Sequence, residues 1–312
     1  MCGIAGIILP SPGQVGHLLA DMITAEQHRG PDSTGFALYG EAGADLQVCL
    51  RILDRSAADN VLSGVVRAIE SVGGRIAGEP EWDLGSSRAA VDRFVRLEVS
   101  GADDVKELLA GLEGERGLEV HSVGTSLRIV KDVGTARDVA ARHGLDAFVG
   151  THGTAHCRLA TESQVDVAHS HPFWTRGVPD MAVVHNGQIT NYHKWRRTLE
   201  GWGYDFATDN DSELIGVYIA ARMREGANLE EALFASVSDL DGCFTYLLST
   251  AEGIGMAKDS LAAKPLVVGE AEGITAMASE EGALQHIFGE EFNSFRPAER
   301  EVITWSKSTL KV

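Results

Sequence analysis

A chain of 312 residues, 44% hydrophobic and 23% charged, has the make-up of one large globular domain or two ordinary ones. A formal net charge of -18 excludes a polyanionic partner such as nucleic acid, which needs a cationic surface, and no run approaches the ~18–20 apolar residues of a membrane span. Four scattered cysteines (Cys2, Cys49, Cys157, Cys243) show no paired metal spacing and suit a reducing cytoplasm.

The chain opens MCGIAGIIL, a cysteine followed by a continuous apolar run that reads as a short buried strand. A secretory signal does not fit, because no basic residue precedes the run and Pro10 and Pro12 cut it short. If Met1 is removed, Cys2 carries a free α-amine beside its thiol. Free α-amines titrate at about 7.7–8.0 and thiols at about 8.5, so one residue would offer a nucleophile with its own base. Cys2 also fits as an ordinary small residue starting a strand.

Residues 17–28 have helical periodicity, and HRGPDSTG (28–35) is a turn leading into the strand FALYG. From 44 to about 148 the texture changes. A helix is expected over 58–72, then the alternating strand VDRFVRLEVS and a helix in DDVKELLAGL with an acidic first turn. LEVHSVG and SLRIVKDVG read as a hairpin, and TARDVAARHG as a helix ending at glycine. The stretch 44–148 is expected to be an α/β insertion, one that helps to dock a partner or a second copy. Beyond it, MAVVHNGQI runs from a strand into a turn, and DNDSELIGVYIAARMREG is a capped amphipathic helix. CFTYLLST, GIGMAKD, LVVG and ITAMASE then read as successive strands of one sheet. The whole suggests an α+β protein whose mainly antiparallel sheets are sandwiched by helices.

Several residues make chemical sense unaided. In HNGQI (185–189), Asn186 offers a side-chain amide and Gly187 a backbone N–H, the two donors of an oxyanion hole, where losing one costs ~3–4 kcal/mol. An Asn-Gly pair is equally a good hairpin turn. Arg158, among Cys157, Leu159 and Ala160, needs an anionic partner: a substrate carboxylate or a structural ion pair. Asp211 in NDSEL (210–214) fits a helix N-cap. His152 and His156 have i, i+4 spacing, but Gly153 and Thr154 between them argue against a shared helical face, and no metal is expected. Lys264 reads as a positioning residue rather than a base.

In this order, MCGIAG, HRGPDSTG, HCRLATES (156–163), HNGQI and NDSEL resemble the class II glutamine amidotransferases, the N-terminal nucleophile hydrolases that release ammonia from glutamine. AKDSLAAKPLVVG (257–269) and ASEEGAL (278–284) resemble the second half of that family. The resemblance implies a four-layer αββα sandwich over residues 2–312. It implies Cys2 as nucleophile, with Asn186 and Gly187 stabilising the oxyanion. It places Arg158 and Thr161 on the α-carboxylate of L-glutamine and Asp211 on its α-ammonium. Arg29 joins this set, paired with Asp32 to shape the loop beside the nucleophile.

KDVGTARDVAARHGLDAFVGTHGTAHCRLATES (131–163), HSHPFW (169–174) and HNGQITNYHKWRRTLE (185–200) further resemble the amidotransferase subunit of N-methylglutamate synthase. That implies a cytoplasmic hetro-oligomer with an FMN-dependent synthase subunit and a subunit like the C-terminal domain of glutamate synthase. No cofactor is expected in this chain, so FMN would belong to the partner. Because this chain stops at residue 312 without a fused synthase region, it is expected to act as a separate subunit. The other reading is a catalytically silent subunit of the same complex.

Overall fold

The computed structural model describes residues 2–83, 92–160 and 165–307. Two antiparallel sheets face each other across a layer of aliphatic side chains. The first has seven strands, in the spatial order Asn293–Phe295, Val267–Ala271, Ile274–Ala278, Gly3–Gly13, Gly150–Arg158, Ser33–Tyr39 and Leu127–Val133. The second has five: Phe173–Trp174, Ala182–Ile189, Gly242–Thr250, Gly253–Lys258 and Val302–Ser306. Ile4, Ile8, Val184, Leu247, Met256 and Met277 fill the space between them.

Helices Val15–Ala25, Ala136–Arg142 and Glu281–Phe288 pack on the outer face of the first sheet. Helices Tyr192–Gly201, Asp211–Arg224 and Leu229–Asp239 cover the second. This is the expected αββα arrangement of an α+β protein. No described helix is long and apolar enough to cross a membrane.

A third sheet orders Arg75–Ile76, Arg93–Ser100, Leu46–Ile52 and Leu118–Gly124, with Glu81–Trp82 also on Arg93–Ser100. Helices Ala58–Ser71 and Val105–Glu113 pack on it. The second helix starts where the Asp104 carboxylate accepts from the Lys106 and Glu107 amides, satisfying two of the free N–H groups of a first turn. Val48, Leu50, Val95, Leu97 and Val123 form one apolar cluster with Ala37, Tyr39, Leu127 and Ile129 of the body. A face of the inserted sheet is therefore buried within this chain.

Three expectations change here. The hairpin LEVHSVG–SLRIVKDVG is opened: Leu118–Gly124 belongs to the third sheet, and Leu127–Val133 pairs with Ser33–Tyr39 in the first. The buried Asp180 carboxylate makes the crossing by accepting from the amides of Thr125, Ser126 and Leu127. The separate unit is thus 46–124 rather than 44–148, because Leu127–Val133 and Ala136–Arg142 are part of the body. The four later strands also divide, two into each main sheet. Strands buried on both faces carry no alternation that would reveal which sheet they join.

Candidate active site

Cys2 lies at the start of the Gly3–Gly13 strand, half-buried, on the wall of a cleft of about 1160 Å³. Arg158, His185, Gly187, Asp211 and Lys264 line the same cleft. The Cys2 sulfur accepts from the Leu159 amide at 3.3 Å, which fixes it beside the end of the Gly150–Arg158 strand. That neighbour follows from sheet register, since Gly3 pairs with Cys157. Gly3 has no room for a side chain: a Cβ would sit 2.7 Å from Glu26 Oε2 and 2.8 Å from Cys157 Sγ.

Asn186 and Gly187 end the inner part of the Ala182–Ile189 strand, so they are strand residues rather than a hairpin turn. Asn186 Nδ2 donates to the Cys2 carbonyl at 3.0 Å and lies 3.4 Å from Ser279 Oγ. The Ser279 hydroxyl also accepts from the Ile4 amide at 2.8 Å, tying the same strand into the network. On its other side, Asn186 Oδ1 is 3.2 Å from His156 Nε2. A carbonyl oxygen only accepts, so this geometry puts the imidazole proton on Nε2. Burial pushes His156 down to about 3, which keeps the ring neutral. Gly187 adopts φ +142, and a Cβ there would meet the Cys243 carbonyl at 2.1 Å. Only glycine suits that position.

Along the cleft the imidazoles continue as a chain. His156 stacks on His171 with centroids 4.0 Å apart. His171 Nε2 and His185 Nδ1 lie 2.8 Å and 2.9 Å from Ser212 Oγ. A hydroxyl has one proton, so at least one of these rings donates to it. Burial lowers both histidines below their ordinary range. Among the described residues no group of three His, Cys, Asp or Glu side chains is placed to hold a metal. His152 faces elsewhere, on Thr250 O at 2.7 Å and stacked on Tyr39.

Asp211 is not the helix cap. Asn210 takes that place, its side chain accepting from the Ser212 amide at 2.9 Å. Asp211 Oδ2 instead accepts from Ile189 N at 2.8 Å, while Oδ1 stands 3.8 Å from His185 Nδ1 at the cleft wall. Arg158 is 5% exposed, its charge carried to the cleft from the end of a central strand. Thr161 lies outside the described residues.

Arg29 departs from expectation. Its Nε donates to the Cys2 carbonyl at 3.0 Å and its Nη1 to Glu280 Oε1 at 2.7 Å. It therefore holds the Cys2 carbonyl and pairs with Glu280, not Asp32. Asp32 accepts from the Ala160 amide at 2.8 Å and so shapes the neighbouring loop by itself. Sequence reasoning also missed Ser279, Ser212 and Glu26. Ser279 stands in ASEEGAL and Ser212 in NDSEL, so the motifs held them without indicating a role. Glu26 is fully buried, with Oε1 accepting from the Glu280 amide at 2.7 Å and Oε2 without a partner among the described residues. Burial, the largest influence, pushes its carboxyl up to about 8.

Comparison with known proteins bears on this arrangement. A glutamine amidotransferase domain family matches residues 156–286. The chain is 37% identical over 292 residues to a protein of Methanothermobacter thermautotrophicus provisionally assigned as a glutamine amidotransferase, covering 92% of this chain and 94% of that one. It is 35% identical over 291 residues to the glutamine amidotransferase-like protein GlxB of Rhizobium meliloti, covering 92% of each. Among solved structures, the glutamine phosphoribosylpyrophosphate amidotransferase of B. subtilis superposes with TM-score 0.60 at 16% identity. That superposition covers 99% of this chain and 50% of the solved one, so this chain spans about half its length. At such identity the likeness concerns the fold alone.

Proposed function

Since the chain belongs to the class II glutamine amidotransferases, we propose that it hydrolyses L-glutamine to glutamate and ammonia with Cys2 as nucleophile. The reading rests on one observation: Cys2, Arg158, Gly187 and Asp211 line a single cleft, with the Asn186 amide 3.0 Å from the Cys2 carbonyl. The Cys2 thiolate attacks the side-chain carbonyl carbon of glutamine. Negative charge then develops on the amide oxygen, and in this reading the Asn186 amide and the Gly187 N–H stabilise it. The tetrahedral intermediate collapses to a thioester at Cys2 and expels the nitrogen as ammonia after a proton is delivered to it. Water attacks the thioester, restoring the thiol and releasing glutamate. With Met1 removed, the Cys2 α-amine serves as the base for both halves. Arg158 and Thr161 hold the α-carboxylate, and Asp211 holds the α-ammonium.

The ammonia needs a consumer. The resemblance of 131–163, 169–174 and 185–200 to the N-methylglutamate synthase subunit leads us to place this chain in a glutamate-synthase-like complex, with FMN on a partner. The experiment is ammonia release from saturating L-glutamine by the wild-type chain and Cys2→Ala, together with the N-terminal mass. Release that disappears in a folded Cys2→Ala supports the proposal. Equal release in both overturns Cys2 as the nucleophile, and no release from a Met1-processed wild type makes the subunit silent.

A further inference from the structure

A second cavity, of about 310 Å³, opens between the inserted sheet and the body. That volume is at the small end of organic-ligand sites, which run to roughly 300–1,000 Å³. It shares no lining residue with the Cys2 cleft, although the two lie back to back along 168–171 and 207–213. Its walls include Lys131 and His121, which are 7% and 6% exposed.

Both groups have unused donor capacity. The Lys131 ammonium gives hydrogen bonds to main-chain carbonyls, Ser170 O at 3.1 Å and Ala168 O at a long 3.5 Å. Its other favourable surroundings are the Phe173 ring, 5.0 Å from Nζ, and the fields of Glu119, Glu213 and Asp166. Burial pulls Lys131 down to about 8, so it is mainly charged at neutral pH. His121 Nε2 is buried without a hydrogen-bond partner among the described residues and stands 3.7 Å from Glu119 Oε2, beyond hydrogen-bond range. Burial drops this ring to about 4, leaving a neutral imidazole able to donate one N–H.

The acidic groups of the wall are already engaged. Glu119 accepts from Arg51 at 2.8 Å, and Glu113 pairs with Arg176. Glu213 accepts from the Ala207 and Thr208 amides and the Thr208 hydroxyl. What the wall leaves open is donor capacity, on the Lys131 ammonium and the His121 ring, for an acceptor. Phe173 and Trp174 add an apolar wall.

We propose that this cavity binds a small organic monocarboxylate, its charge on Lys131 and His121 and its apolar part against Phe173 and Trp174. A second negative charge is disfavoured by the three surrounding glutamates. The test is isothermal titration of the full chain with benzoate and isovalerate, with benzamide and isovaleramide as uncharged controls. At least one acid is expected to bind saturably, its amide at least tenfold more weakly. Lys131→Met should lose the binding by tenfold or more. Because a buried substitution can disturb folding, Ala207→Trp, at an exposed position on the rim, gives an independent block. Failure of both acids to bind, amides binding as well as acids, or unchanged binding in a folded Lys131→Met or in Ala207→Trp would overturn the proposal.

Discussion

The inserted sheet and the floor of the Cys2 cleft are built on opposite principles. In the inserted sheet, Val48, Leu50, Val95, Leu97 and Val123 are aliphatic and buried under two amphipathic helices. The cleft floor buries His156, His171, His185, Asn186 and Ser212 just as deeply. The first region gains from removing apolar surface from water. The second removes polar groups from water and recovers part of the cost through hydrogen bonds among themselves, one nitrogen of each imidazole having no partner among the described residues. Damage is therefore expected to be felt as lost stability in the sheet and as lost chemistry in the cleft.

The largest effect is expected at Leu97, which is fully buried opposite Val48. Leu97→Ala should cost about 2–5 kcal/mol of unfolding free energy in urea, through lost burial and the cavity left behind. Glutamine kinetics of the folded fraction should not change. A fall in kcat would mean that the sheet and the cleft are coupled. Next comes Asn186→Ala, expected to lower kcat by ~10²–10³ with little change in KM, since its donor matters most when the oxyanion forms. A pure KM effect would place Asn186 in ground-state binding and break the comparison from the other side.

Asp211→Asn should weaken glutamine binding by roughly 1.5–3 kcal/mol, the scale of a hydrogen bond to a charged group. Discrimination against the des-amino analogue of glutamine should fall with it. Because Asn210 is the cap, the melting temperature should move little; earlier melting with unchanged KM would make Asp211 structural.

The last prediction concerns Glu26, where the two principles meet. Burial lifts its carboxyl from an ordinary 4.5 to about 8, so between these values the folded state holds a proton that the unfolded chain releases. Its stabilising contribution is therefore complete below about pH 4.5 and is lost as pH rises towards 8. Glu26→Gln keeps an acceptor for the Glu280 amide and removes the titration. Urea midpoints at pH 5 and pH 8 should fall more in wild type than in the variant. Parallel pH dependences would show that Glu26 stays ionised.

What the sequence made legible follows the same division. The elements of the inserted sheet were readable because amphipathic periodicity is local: the helices near 58–72 and after Asp104, and the strand Arg93–Ser100, lie where expected. Pairing was not local. The break between Leu118–Gly124 and Leu127–Val133 depends on Asp180, more than fifty residues further along the chain. In the cleft, Cys2, Arg158, Gly187 and Asp211 could be selected as motif residues, and the fold brings them onto one wall. The partner of Arg29 could not: Glu280 and Asp32 are both acidic, and only the close approach of sheet ends selects Glu280. Glu26 gave no signal at all, since an acid at the end of a helix usually meets water.

Formation of a covalent intermediate at Cys2 carries the proposed reaction. It is tested most directly by treating the folded chain with an electrophilic diazoketone analogue of glutamine, with and without excess L-glutamine, and mapping the label by peptide mass spectrometry. One label per chain is expected, on the Cys2 peptide, suppressed by L-glutamine and absent from Cys2→Ala. Labelling at Cys243 in the same cleft, or labelling of Cys2 that L-glutamine does not suppress, would contradict it.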